Sequence, residues 1–284
     1  MKNLLVLAVI CFGLYSCGSV PITGRKQLSL VSDNEVMSLS LQQYDEFIQT
    51  ATKSKDKKNT KLVEKVGQNI ADAVTAYYTA NNMESLLSNY QWEFNLIEDP
   101  QVNAFCMPGG KIVVYTGILP YTQDETGLAV VLGHEVGHAI AKHANERMSN
   151  QMALNIGGSA LSAVLDKSSA TAQSLGATLW GLGSQVGVML PFNRKQELEA
   201  DHLGLILMAI AGYDPYQAVP FWERMSQQGG GTLEFLSTHP SDATRIKQIQ
   251  KDIPEAMEYY NAVWGKGTGN STTKKSTTSS DWRF

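Results

Sequence analysis

His134-Glu135-Val136-Gly137-His138 lies inside a proline-free stretch, Glu125 to Arg147, in which Leu128, Val131, Leu132 and Ile140 recur near helical spacing. Asp124 and Glu125 stand at its start, where a helix N-terminus favours acids. A helix here puts His134 and His138 on one face, four residues apart, so that both imidazoles can grip a single zinc ion. Glu135 then stands where a general base belongs. A zinc that keeps one position for water lowers that water's pKa to about 7, and an adjacent carboxylate can take the proton as the water attacks a peptide carbonyl. Alone, the same five residues fit an ordinary amphipathic helix equally well, so a third ligand has to decide.

His143 invites a longer metal motif on the same segment, but that motif needs glycine at 141 and histidine at 144, and both positions are alanine. His143 is therefore expected to be a solvated histidine and not a ligand. Glu197-Leu198-Glu199-Ala200-Asp201 is the better source, because Glu197 and Asp201 are i and i+4 on a second helix and point the same way. One of these carboxylates can bind zinc. The other can accept the N–H of a ligating histidine and fix its tautomer.

With Asn103-Ala104-Phe105, the run Pro108 to Gly117, and Thr238-His239-Pro240, these motifs fall in a recognisable order. From Val20 to Tyr260 the chain resembles the zinc metalloproteases that include HtpX and the CAAX prenyl endopeptidases, most closely their periplasmic lipoprotein branch of the LoiP and BepA type. The resemblance implies one zinc per chain, with His134, His138 and Glu197 as ligands, Glu135 as base and Asp201 as partner of a ligand histidine. It also points to His239 as a fourth ligand, a latch on the zinc. Other roles for His239 are a surface loop residue or a donor to the tetrahedral oxyanion. Arg245, just beyond it, is expected to stabilise charge developing in the transition state. BepA-like members carry C-terminal helical repeats that bind partners, and no internal repeat is apparent here.

The N-terminus bears on location. Lys2 opens an apolar run from Leu4 to Leu14, too short to span a bilayer, which ends at Leu14-Tyr15-Ser16-Cys17. This resembles a lipoprotein signal over residues 1–16 with lipid attached to Cys17 and tethering the chain to a membrane. No acid follows Cys17, which gives an expected location in the bacterial cell envelope, at the outer membrane facing the periplasm. Cys11 would leave with the signal, so Cys106 remains alone and no internal disulfide can form. A net charge of −4 without a basic stripe excludes a nucleic-acid footprint.

Helical patterns are expected over 34–50, 59–80, 195–211, 215–228 and 241–260, with a charged linker at 53–58 and an extended leader at 21–33. Gln91 to Glu98 and Lys111 to Tyr115 read as strands bounded by the Asp99-Pro100 and Pro108-Gly109-Gly110 turns. Met152 to Leu190 has no apolar run long enough for a span and is expected to be a packed helical pair over the site. Gly265 to Ser280 is too polar to bury surface, so 265–284 is expected to be a disordered tail after a protease domain at 17–264.

The expected fold is a mainly helical α+β domain of zincin-like type, with a small antiparallel sheet beside the metal-binding helix. Lys111, Ile112, Val113, Val114 and Tyr115 are expected at that sheet's exposed edge, where an extended substrate could add as a strand. The function this implies is a zinc endopeptidase that clears misfolded or misassembled envelope proteins, its protein partners being unfolded substrates. Two rivals are an envelope chaperone or assembly factor whose zinc is latent, and a protease specific for prenylated substrates. The first has no use for an intact Glu135, and the second lacks its membrane chamber here.

Overall fold

The computed structural model describes residues 17–153, 193–229, 234–239 and 243–265. The expected signal at 1–16, most of the 152–190 stretch and nearly all of the polar tail lie outside the described residues.

Strands β1 (Cys17–Ser19) and β2 (Lys26–Leu28) form an antiparallel hairpin. Its turn closes as Val20 N donates to Arg25 O and Gly24 N to Val20 O, and Gly24 supplies the φ of +65° that the turn requires. Helix α1 (Asp33–Thr50) starts at Ser32, whose side chain accepts from Glu35 N, and α2 (Lys57–Ala80) starts at Asp56, whose carboxylate accepts from Lys58 N and Asn59 N. The expected charged linker is thus in part a helix cap. Val63, Val66, Ile70, Val74 and Tyr77 give α2 its buried face.

Three strands follow: β3 (Glu93–Ile97), β4 (Ala104–Met107) and β5 (Lys111–Tyr115), in the order β3-β5-β4. The sheet differs from expectation in two ways. It is mixed, since β3 runs parallel to β5 while β4 is antiparallel. And Lys111 to Tyr115 is the central strand, not the exposed edge. The reason is burial on both faces: Ile112 and Val114 join the main core, while Val113 and Tyr115 join a second cluster with Tyr44, Ile97 and Met107. Lys111 is buried too, its ammonium 3.4 Å from Glu93 Oε2. The β-branched run Ile112-Val113-Val114 that marks the strand does not by itself distinguish a strand with one neighbour from one with two.

Helix α3 (Glu125–Ile140) carries the His-Glu-Val-Gly-His stretch. Asp124 caps it by accepting from Gly127 N at 2.8 Å, and every residue from Gly127 to Ile140 is buried. Residues 143–153 are again helical. Helix α4 (Arg194–Ile210) begins with a reciprocal capping box between Asn193 and Gln196. After it come α5 (Ala218–Gly229), the short α6 (Glu234–Thr238) and α7 (Ala243–Trp264).

The crossing of α3 and α4 positions the site, and glycines set its closeness. A Cβ at Gly133 would lie 2.9 Å from Gly204 O, one at Gly137 2.8 Å from Ala200 O, and one at Gly204 2.8 Å from His134 N. Backbone meets backbone there, so no side chain keeps the helices apart. Leu128, Leu132, Leu203 and Leu207 pack around the crossing within the main core. On its other side α3 packs against β4. No described helix is long and apolar enough to cross a membrane.

Candidate metal centre

His134 and His138 reach outward from one face of α3, Glu197 meets them from the first turn of α4, and His239 arrives from the end of α6. All four side chains are buried. His134 Nε2 is 3.1 Å from both His138 Nε2 and His239 Nδ1. Glu197 Oε1 is 3.1 Å from His239 Nδ1 and 3.3 Å from His138 Nε2, and Glu197 Oε2 is 3.5 Å from His134 Nε2.

This donor set fits a divalent metal. Tetrahedral bonds of about 2.0–2.1 Å separate neighbouring donor atoms by about 3.3 Å, which is the spacing observed. Three imidazole nitrogens and a carboxylate converging in a buried space are mutually repulsive as lone pairs, and a cation among them removes that repulsion. Burial, the first cause, drives the His138 pKa well below its ordinary value, so the ring is neutral as a ligand must be. Burial alone would raise the Glu197 carboxyl, but Arg245, His239 and the α3 histidines hold it well below the carboxylate range.

Around these four, Asp201 Oδ1 lies 2.9 Å from His134 Nδ1. A proton on that nitrogen leaves Nε2 bare towards the other donors. Asp201 is itself clamped, since Arg245 Nε donates to Oδ2 at 2.5 Å and Nη2 to Oδ1 at 2.8 Å. Arg245 Nη1 also pairs with Glu197 Oε2 at 2.9 Å, and the guanidinium stacks 3.7 Å from the centroid of the Trp222 ring. Arg245 is therefore brought to the centre as expected, facing Asp201, the donor Glu197 and, with Nη2 3.1 Å from Nδ1, the His134 ring.

Glu135 stands apart from the ligand set. Its Oε1 is buried without a hydrogen-bond partner among the described residues, 3.5 Å from His239 Nε2. Burial pushes its carboxyl up to about 7; Glu197 and Asp201 push the same way, against His239 and Arg245. A carboxylate so tuned suits proton transfer near neutral pH.

His143 overturns its expectation. It is fully buried, with Nδ1 2.8 Å from His138 Nδ1 and Nε2 2.9 Å from Glu199 Oε2. The helix pauses at Lys142, whose φ is +56°, and this break turns His143 back under His138. Arg25, Thr23 and Glu146, which join Glu199 in the network behind it, carry no signal in the motifs above. Glu199 has a local one, as a second acid in the turn that carries Glu197. Arg25 has none, being 174 residues away from Glu199. Lys111 to Tyr115 is buried in the core as the central strand of its sheet.

A profile of peptidase family M48 matches residues 60–253. The chain belongs to peptidase family M48. Its metallopeptidase class and the zincin-like fold expected from the sequence follow from this membership together with the donor cluster. Among its relatives are the mitochondrial metalloendopeptidase OMA1 of Schizosaccharomyces pombe, 40% identical over 63% of this chain and 53% of that protein, and the OMA1 of Homo sapiens, 30% identical over 84% and 46%. The beta-barrel assembly-enhancing protease of Yersinia pestis is 32% identical over 56% of this M48 chain and 34% of its own length. The chain thus spans about half the length, or less, of these relatives.

These names correct the expected location. An address at a bacterial outer membrane, facing the periplasm, is overturned by relatives that are mitochondrial metalloendopeptidases and that match this chain over as much as 84% of its length. The physical reason is that a lysine, a short apolar run and a cysteine are a generic leader. They encode a partition into an apolar phase, not a particular membrane.

Proposed function

We propose that this M48 chain is a zinc endopeptidase that cuts extended, unfolded segments of proteins, with His134, His138 and Glu197 holding the metal and Glu135 as general base. What supports the reading is a single juxtaposition. Among the described residues, Glu135 Oε1 is buried without a hydrogen-bond partner right beside a converged set of metal donors, a state of high cost unless a proton or a reacting water visits it. Zinc, when bound, polarises the scissile carbonyl and acidifies a water molecule. Glu135 takes the proton at Oε1 and hands it to the leaving nitrogen. Asp201 holds the His134 ring in the tautomer that leaves Nε2 bare, and Arg245 keeps Asp201 and Glu197 ionised. Arg245 thus acts through these two carboxylates, besides the part expected of it in stabilising charge in the transition state.

Among the described residues β4 pairs with β5 alone and packs against α3. Its other edge takes over the part expected of Lys111–Tyr115: an extended peptide adds along Ala104–Met107 through main-chain hydrogen bonds. Such pairing is indifferent to side chains, which suits a protease for unfolded chains. Phe235 N, at the start of α6, donates to Val102 O at 3.0 Å just ahead of β4. His239 and the peptide therefore compete for one place, and His239 acts as a latch that withdraws when substrate enters.

A second reading has one observation in its favour. With His239 in place four protein donors close the set, as in a structural metal site, which fits a chaperone whose metal is latent. Zinc-loaded His239→Ala separates the two. The latch reading expects faster cleavage of unfolded casein than by wild type, and chelation abolishes both activities. Loss of activity at full zinc occupancy contradicts the latch, and absence of cleavage by either protein contradicts the peptidase.

A further inference from the structure

Outside the four donors, a chain of buried polar contacts leads from His138 to the N-terminal hairpin. His138 Nδ1 meets His143 Nδ1 at 2.8 Å, and His143 Nε2 meets Glu199 Oε2 at 2.9 Å. Glu199 accepts from Arg25 Nε at 2.5 Å and from the Thr23 hydroxyl. Arg25 in turn forks onto Glu146, Nη1 and Nη2 reaching its two oxygens at 2.7 Å each, and Gln196 Nε2 donates to Glu146 at 2.8 Å. The side chains of Arg25, Glu146 and Glu199 are only 12%, 11% and 6% exposed.

Hydrogen-bond polarity runs one way along this chain. A carboxylate can only accept, so Glu199 takes the Nε2 proton of a neutral His143. His143 is thereby left with a bare Nδ1, which can only accept from Nδ1–H of His138. His138 then has its lone pair on Nε2, the atom that lies 3.1 Å from His134 Nε2 and 3.3 Å from Glu197 Oε1. His134 receives the same instruction directly from Asp201. For His138 it comes through one more ring, and it starts from a carboxylate that the hairpin holds in place.

We propose that Thr23 and Arg25 are positioning residues for the metal centre: the turn of the N-terminal hairpin fixes Glu199, and through His143 it fixes the tautomer and aim of the ligand His138. The hairpin is then an integral part of the metal site, contributing to metal affinity without touching the metal. The inference rests on the zinc reading above.

A double-mutant cycle on the full chain tests it, reading zinc affinity by chelator competition and ligand geometry by the visible spectrum of the cobalt-substituted protein. Arg25→Gln and His143→Phe should each weaken zinc binding by about 10–100-fold and alter the cobalt spectrum. In the His143→Phe background Arg25→Gln should cost nothing further, because its route to His138 is already cut. Additive losses, or an Arg25→Gln protein with wild-type affinity and spectrum, would overturn the proposal. Thr23→Val, which removes one bond only, completes the same cycle if Arg25→Gln does not fold. A wild-type chain that binds no zinc would overturn the metal-centre reading itself, and this inference with it.

Discussion

Asp201 is the residue at which spacing, charge and chemistry meet. Burial would raise its carboxyl, yet Arg245 and His134 hold it below the ordinary value, so it stays an acceptor for the His134 ring. Asp201→Asn keeps the size and loses the charge that Arg245 answers. Zinc affinity, measured against a competing chelator, should fall by about 10–100-fold. Glu197→Ala, which removes a donor, should fall further. Two variants as tight as wild type would contradict both assignments. At this scale much is legible in the sequence, because i,i+4 spacing converts directly into a shared helix face: His134 with His138, and Glu197 with Asp201. His143 is not, because whether a histidine is solvated depends on what packs over it, and Lys142 breaks the helix just before it.

Elements bring these residues within reach only because α3 and α4 touch at the backbone. Gly204 is the tightest case, with a hypothetical Cβ 2.8 Å from His134 N and 2.9 Å from Gly133 C. These are backbone atoms that cannot swing aside. Gly204→Ala should therefore push α4 off α3, lowering stability by about 1–3 kcal/mol as overpacking does and carrying Glu197 and Asp201 away from the histidines. Chemical denaturation of the metal-free protein and zinc titration should report both losses. An unchanged midpoint with unchanged zinc affinity would refute this account of the crossing. The helices themselves are legible from periodicity and caps. The sheet is only partly so, since β4 spans four residues beside the Pro108-Gly109-Gly110 turn and its alternation is too short to register. Without β4, β5 looks like an edge.

For the whole molecule, the illegible part is what the fold brings together from afar. Thr23 and Arg25 meet Glu199, and Phe235 meets Val102, across separations that no local pattern encodes. The chemistry is nonetheless concentrated in short motifs, which is why the metallopeptidase class is legible in the sequence and the location is not. On the proposed reading Glu135 is a base beside the metal and not a ligand to it. Glu135→Gln, assayed together for bound zinc and for hydrolysis of unfolded casein, separates these two roles. The variant should keep one zinc per chain and lose hydrolysis by about 10²–10⁴-fold; cleavage at the wild-type rate, or loss of the zinc, would contradict it.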